Sequence, residues 1–198
     1  MKTPSYRRAR GFTLVELLVV ISIISVLASA GFAAGSAAIQ KAKKTTCLAT
    51  CVAIESAVNN FFTEYGSMPA DGTGDTLVKT DGSGGNSIEL LKTLLGMPET
   101  ANPPKNTRAV KFLSVKEGKA KKNGLMYNPD GTSVTGLYDP WGGGYNVMMD
   151  CGFNEKIVVS PKASGASVTL NGRRCAVWSD GADGVTATGK ITDDVKTW

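Results

Sequence analysis

The chain has 198 residues, 42% hydrophobic and 20% charged, a size and balance that suit one compact domain plus an appendage. It contains no histidine, so the commonest general base and metal ligand are missing, and with them Ser-His-Asp and Cys-His catalytic arrangements. The formal charge is +5, but Lys2, Arg7, Arg8 and Arg10 supply four of those charges and leave +1 for the rest, so overall basicity is poor support for a nucleic-acid partner.

After the basic start the chain turns apolar at Phe12. Leu17 to Gly35 is 19 residues without a charge, about 28 Å of helix against a bilayer core of about 30 Å. The basic flank belongs in the cytoplasm under the positive-inside rule. A secretory signal peptide has the same outline, with Ala28-Ser29-Ala30 as its cleavage site and a released domain starting at Gly31. Two residues oppose that reading: Gly11 at the junction, and Glu16, a carboxylate inside the apolar run. An intramembrane acid costs about 2.5–3.5 kcal/mol at a helix centre and calls for a partner.

The helical pattern continues past the apolar run, because no proline occurs between Phe12 and Tyr65. Gly31 and Gly35 are points of bending or of close helix packing. Beyond Ile39 the residues Cys47, Cys51, Ile54, Val58, Phe61 and Tyr65 fall on one helical face, with Lys41, Lys43, Lys44, Glu55, Asn59, Asn60 and Glu64 on or near the wet side. Gly66 and Pro69 end the helix.

Residues 70–87, with Asp71-Gly72 and Asp81-Gly82-Ser83-Gly84-Gly85, read as loop, lacking the spacing of a phosphate or EF-hand loop. Ile88 to Leu95 reads as a short helix stopped by Gly96 and Pro98. Lys105, Arg108, Lys111, Lys116, Lys119, Lys121 and Lys122 face only Glu117, which suggests a solvated surface or a charge-matched contact between subunits. Strands are expected at 144–151, 155–160, 166–170 and 174–178, forming one small antiparallel sheet. The four cysteines, Cys47, Cys51, Cys151 and Cys175, are expected in disulfides if the protein is exported, with the pairing open.

Arg10-Gly11-Phe12-Thr13-Leu14-Val15-Glu16-Leu17-Leu18 resembles the cleavage and methylation motif of type IV prepilins and type II secretion pseudopilins. The resemblance implies that a membrane prepilin peptidase cuts after Gly11 and methylates Phe12. It also implies that Glu16 neutralises the Phe12 amine of a neighbouring subunit. Asp139-Pro140-Trp141-Gly142 with Tyr145 is similar to a segment of major pseudopilins, though Gly143-Gly144 replaces the family's usual Asn-Pro; Trp141 and Tyr145 are expected to pack on the long helix.

Ser179 to Gly184 and Ile191 to Val195 are similar to the pseudopilin tail that binds one calcium ion. Carried over by position, Asp183 supplies a side-chain ligand, Asp180 its carbonyl, and Asp193 or Asp194 closes the site. Lys190 in the intervening loop departs from that pattern.

The implied fold is α+β, the pilin fold. A leader at 1–11 and a transmembrane assembly helix at 12–39 precede a periplasmic head at 40–198, which takes in the second half of the helix at 40–66. The implied function is that of a filament subunit supporting protein secretion, not an enzyme. Its partners are further copies, minor pseudopilins, an inner-membrane assembly platform driven by a cytoplasmic ATPase, and membrane lipid, with no nucleic acid expected. The alternatives are a surface pilin that adheres or takes up DNA through the basic stretch, and a secreted hydrolase using paired carboxylates.

Overall fold

A computed structural model describes residues 11–160, 166–185 and 193–198. The basic start at 1–10 and Lys190 lie outside them. The chain divides into two units, Met1–Ala42 and Lys43–Trp198.

One helix, α1, runs from Leu14 to Tyr65, 52 residues, continuous through Gly31 and Gly35. Gly66, at φ +66°, ends it in the left-handed conformation that glycine adopts without penalty, and its N–H bonds back to the Phe62 carbonyl at 2.8 Å. In the first unit α1 exposes its apolar side chains, among them Val15, Leu18, Ile21, Ile24 and Leu27.

In the second unit, the expected stripe is the buried one: Cys47, Cys51, Ile54, Val58 and Phe61 are at most 1% exposed, and Tyr65 packs against the same cluster.

The stripe lies on a four-stranded antiparallel sheet in the order β1-β4-β7-β8, built from Asp75–Lys79, Tyr145–Asp150, Cys175–Ser179 and Val195–Lys196, which are β1, β4, β7 and β8 in chain order. Alternation assigns the faces. Val78, Tyr145, Val147, Met149, Cys175, Val177 and Val195 join the α1 stripe in one core. Their alternates Met148, Ala176 and Trp178 form a second core on the opposite face.

That second face is covered by the hairpin β5 (Lys156–Val159) and β6 (Val168–Asn171), through Ile157 and Val159, and by Trp198, whose ring meets Trp178 edge-on at 5.5 Å. The second unit is thus layered helix, sheet and hairpin, the α+β arrangement expected of the pilin fold.

The strands differ from expectation in two ways. Residues 70–87 are not all loop, since β1 lies there as a sheet edge. The segments at 155–160 and 166–170 do not extend the sheet formed by 144–151 and 174–178; they pair with each other. A further hairpin, β2 (Gly124–Tyr127) with β3 (Val134–Tyr138), packs near the second helix α2, Ser87–Leu95.

Between α2 and β2 the chain has no regular structure, and Asn106 holds it. The buried Asn106 amide donates to the carbonyls of Thr93 and Val110 at 2.8 and 2.7 Å, and its oxygen accepts from the Tyr65 hydroxyl and the Val110 N–H at 2.8 and 3.0 Å. All the hydrogen-bonding capacity of one side chain is used to tie this loop to both helices.

Candidate functional site

The junction and the start of α1 form the first site. Gly11, Phe12 and Thr13 precede the helix, exposed. Thr13 caps it. Its hydroxyl accepts the Glu16 N–H at 3.2 Å, while the Glu16 carboxylate accepts the Thr13 N–H at 2.9 Å and the Thr13 hydroxyl at 2.7 Å.

This is a reciprocal capping box, with Glu16 at the third helical position, where a carboxylate also meets the positive end of the helix dipole. The pattern Thr-x-x-Glu was readable in the sequence. It gives Glu16 a partner within its own chain.

The helix behind it includes an 18-residue window of mean hydropathy 2.5, long and apolar enough to cross a membrane. Its hydroxyls are satisfied internally. Ser22, Ser25 and Ser29 donate to the carbonyls of Val19, Ile21 and Val26 at 2.7–2.8 Å, which removes the penalty of an unpaired polar group in lipid.

The C-terminal acids form a second site. The structure brings together Asp183, Asp193 and Asp194, with one carboxylate oxygen from each within 4.8 Å of the others. Asp193 is held by the N–H groups of Ala182 and Asp183, the latter at 3.1 Å. Gly181, at φ +70°, permits this approach, since a β-carbon there would lie 2.5 Å from the Asp193 carboxylate.

The Asp180 side chain is not part of this cluster. It is buried and accepts from the Asn146 amide at 2.7 Å and the Trp178 indole at 3.2 Å, with Lys79 at 3.4 Å. Oxygen ligands converging within one ion's reach are what a hard cation such as calcium requires. The donor set of Asp183, Asp193 and Asp194 therefore fits calcium.

The segment 139–145 is architectural. Asp139 is 1% exposed, and its Oδ1 accepts the N–H groups of Trp141, Gly142 and Gly143 at 2.9, 2.7 and 2.9 Å. Its Oδ2 accepts the Ser179 hydroxyl at 2.5 Å, so one carboxylate folds the turn and fastens it to β7. Tyr145 lies in the core beside Thr50, Cys47 and Cys51 of α1, and Trp141 is half-buried against the same core.

Cys47, Cys51, Cys151 and Cys175 are all buried free thiols in this structure. Cys47 and Cys51 sit one turn apart on α1, where β-carbons are about 5–6 Å apart; a disulfide needs about 3.8 Å. Cys175 faces Met149 across the sheet, and the Cys151 thiol turns to the Ala70 carbonyl at 3.6 Å. The hydrogen bond to Cys47, reinforced by burial, pushes the Cys51 thiol up, and burial pushes Cys151 and Cys175 up. Cys51, Cys151 and Cys175 are protonated core residues of low nucleophilicity, whereas the hydrogen bond from Cys51 holds the Cys47 thiol below its ordinary value.

The basic stretch divides in two. Lys105 pairs with Asp71 at 2.6 Å, and Arg108 pairs with Glu64, so these two serve the fold. Among the described residues no carboxylate lies within ion-pair distance of Lys111, Lys116, Lys119, Lys121 or Lys122.

Residues 6–32 match the family model for the prokaryotic N-terminal methylation motif. The match spans the Gly11–Phe12 junction, Glu16 and the apolar start of α1, and it supports a type IV pilin-like precursor processed by prepilin peptidase. No curated protein and no solved structure matches the chain.

Proposed function

We propose that the chain is a pseudopilin of a type II secretion system, inserted in the inner membrane through residues 12–39 with its head in the periplasm, and drawn into a helical filament that drives protein export. The observation that carries this reading is the junction itself. A cleavable Gly11–Phe12 bond opens directly onto a capped helix whose apolar side chains are exposed and require lipid or other helices.

Cleavage converts the Phe12 peptide nitrogen to an ammonium, and a charge taken from water needs an opposite charge. Glu16 of an adjacent copy supplies it, exchanging the capping bonds within its own chain for an ion pair between chains. That exchange sets the register of each incoming subunit. The assembly platform, the minor pseudopilins and the ATPase are the partners this role requires.

We assign calcium to Asp183, Asp193 and Asp194, where it would hold the last strand to the loop after β7 and so brace the head. Depletion with a chelator is expected to lower the melting temperature of the purified protein by about 5 °C or more, since a ligand at a hundredfold its Kd stabilises by about 2.7 kcal/mol. Asp193→Asn is expected to be insensitive to chelation. An unchanged melting temperature in the native chain would remove the ion from the scheme.

Deletion of the gene tests the function directly. Exported proteins are expected to accumulate in the periplasm. Normal secretion with lost surface adhesion would instead make the chain a surface pilin.

A further inference from the structure

Lys79, Asn146 and Trp178 lie in one row across β1, β4 and β7: Lys79 is paired with Asn146, and Asn146 with Trp178. Alternation turns all three to the sheet face away from α1, since their neighbours Val78, Val147 and Val177 belong to the α1 core. Asp180, just past the end of β7, closes the row. Its Oδ1 accepts the Asn146 amide N–H at 2.7 Å and the Trp178 indole N–H at 3.2 Å, and its Oδ2 lies 3.4 Å from the Lys79 amine. One carboxylate thus holds a primary amine at one oxygen and a carboxamide at the other.

The group is withdrawn from water. Asn146 is 0% and Asp180 4% exposed, and the Lys79 side chain is 30% exposed. The Asn146 amide oxygen is buried and has no hydrogen-bond partner among the described residues. A buried carboxamide with one end unbonded costs free energy that an apolar side chain would not. Asn146 is therefore a poor choice for stability alone, at the centre of a sheet and directly opposite a lysine.

We propose that the side chains of Lys79 and Asn146 are joined by a covalent amide bond, formed by the folded chain itself with Asp180 as the catalytic residue. Side chains directly opposite on adjacent strands have β-carbons about 4.5–5.5 Å apart. Held so, amine and amide meet at an effective concentration that no free pair reaches.

Lys79 passes one ammonium proton to Asp180, and its neutral Nζ attacks the side-chain carbonyl carbon of Asn146. A C–N bond forms, and the carbonyl oxygen takes the proton from Asp180, since a carboxyl group donates where a carboxylate cannot. Asp180 then relays a proton from the attacking nitrogen to Nδ2. The C–Nδ2 bond breaks, and the carbonyl reforms as its proton leaves with the departing nitrogen. A lysine ammonium and an asparagine amide become one linking amide and one ammonium ion, and Asp180 is again a carboxylate. No oxidant, reductant or cofactor enters.

The link ties β1, the edge of the sheet, to β4, and closes a loop that contains α2 and the hairpin β2–β3. A cross-link across so long a loop stabilises mainly by restricting the unfolded chain. It is independent of whether the chain forms filaments.

The test is the intact mass of the full native chain, followed by tryptic digestion and fragmentation. The chain is expected to weigh one ammonia less than its sequence and N-terminal processing require. Trypsin is expected not to cut after Lys79, and a branched peptide is expected to join Lys79 to Asn146. Lys79→Arg, which keeps the ion pair with Asp180, and Asp180→Asn, which keeps the shape of the side chain, are both expected to show the full mass. Lys79→Arg is expected to melt about 10 °C lower than the linked chain.

A native chain of full mass, cut normally after Lys79, would overturn the proposal. So would the loss of one water with Lys79 joined to Asp180, which would make the carboxylate the acyl partner. Loss of ammonia without a branch at Lys79 would overturn it too, as the mark of a succinimide. A link that still forms in Asp180→Asn would overturn the catalytic role of Asp180.

Discussion

Replacing Glu16 with alanine is expected to abolish filaments while leaving membrane insertion and cleavage after Gly11 intact. Insertion should, if anything, become easier, because a carboxylate in an apolar segment is unfavourable. Assembly loses the countercharge for the Phe12 ammonium. Breaking one side of a buried ion pair costs about 3–5 kcal/mol, roughly a hundredfold to several thousandfold in the equilibrium for adding each subunit.

The capping box complicates a single variant, since alanine also removes the acceptor for Thr13. Glu16→Gln separates the two roles, because glutamine serves in a capping box but carries no charge. Both variants are expected to lack filaments by electron microscopy of sheared envelopes. Native filament numbers in Glu16→Gln would mean that Glu16 acts as a helix cap and not as a countercharge.

The largest effect on stability is expected at Asp139. Alanine there leaves the N–H groups of Trp141, Gly142 and Gly143 and the hydroxyl of Ser179 without their acceptor, at a position 1% exposed. Each buried group left unsatisfied costs about 1–3 kcal/mol, and water entering the opened turn recovers part of the sum. A net loss of about 3–5 kcal/mol would lower the melting temperature by about 10 °C or more for a head of this size. Asp139→Asn keeps one carbonyl acceptor and is expected to lose less. A thermal melt of Asp139→Ala within about 2 °C of the native protein would show that the turn is held by other contacts.

The parts of this molecule that were legible in the sequence are those with a strong local period. The buried stripe from Cys47 to Phe61 follows the 3.6-residue repeat, and Gly66 ends the helix because its φ of +66° suits glycine. The short helix α2 and its Gly96 cap were legible for the same reason.

Strand pairing was not legible, because it depends on partners far apart in the chain. β1 is a five-residue edge between glycine-rich turns, and its neighbour β4 begins 66 residues beyond the end of β1. Nothing local distinguishes the hairpin β5–β6 from strands of the main sheet; Ile157 and Val159 are buried because they cover that sheet, not because they extend it.

At the sites, Gly11, Phe12 and Glu16 were named by a contiguous motif, and Asp183, Asp193 and Asp194 by position in the tail. The Asp180 side chain turns back to Asn146 and Trp178, a placement no local pattern reveals. The anchoring role of Asp139 depends on Ser179, 40 positions away, which no local pattern reveals.

The central claim is that this chain is trimmed at Gly11 and anchored through the helix that follows. The most direct measurement is the intact mass and N-terminal sequence of the native protein from the membrane fraction. The account requires a chain beginning at Phe12 and carrying one added methyl group on its amine. A soluble chain beginning at Gly31 would contradict it, identifying the apolar segment as a discarded signal peptide and leaving Glu16 without a role in the mature protein.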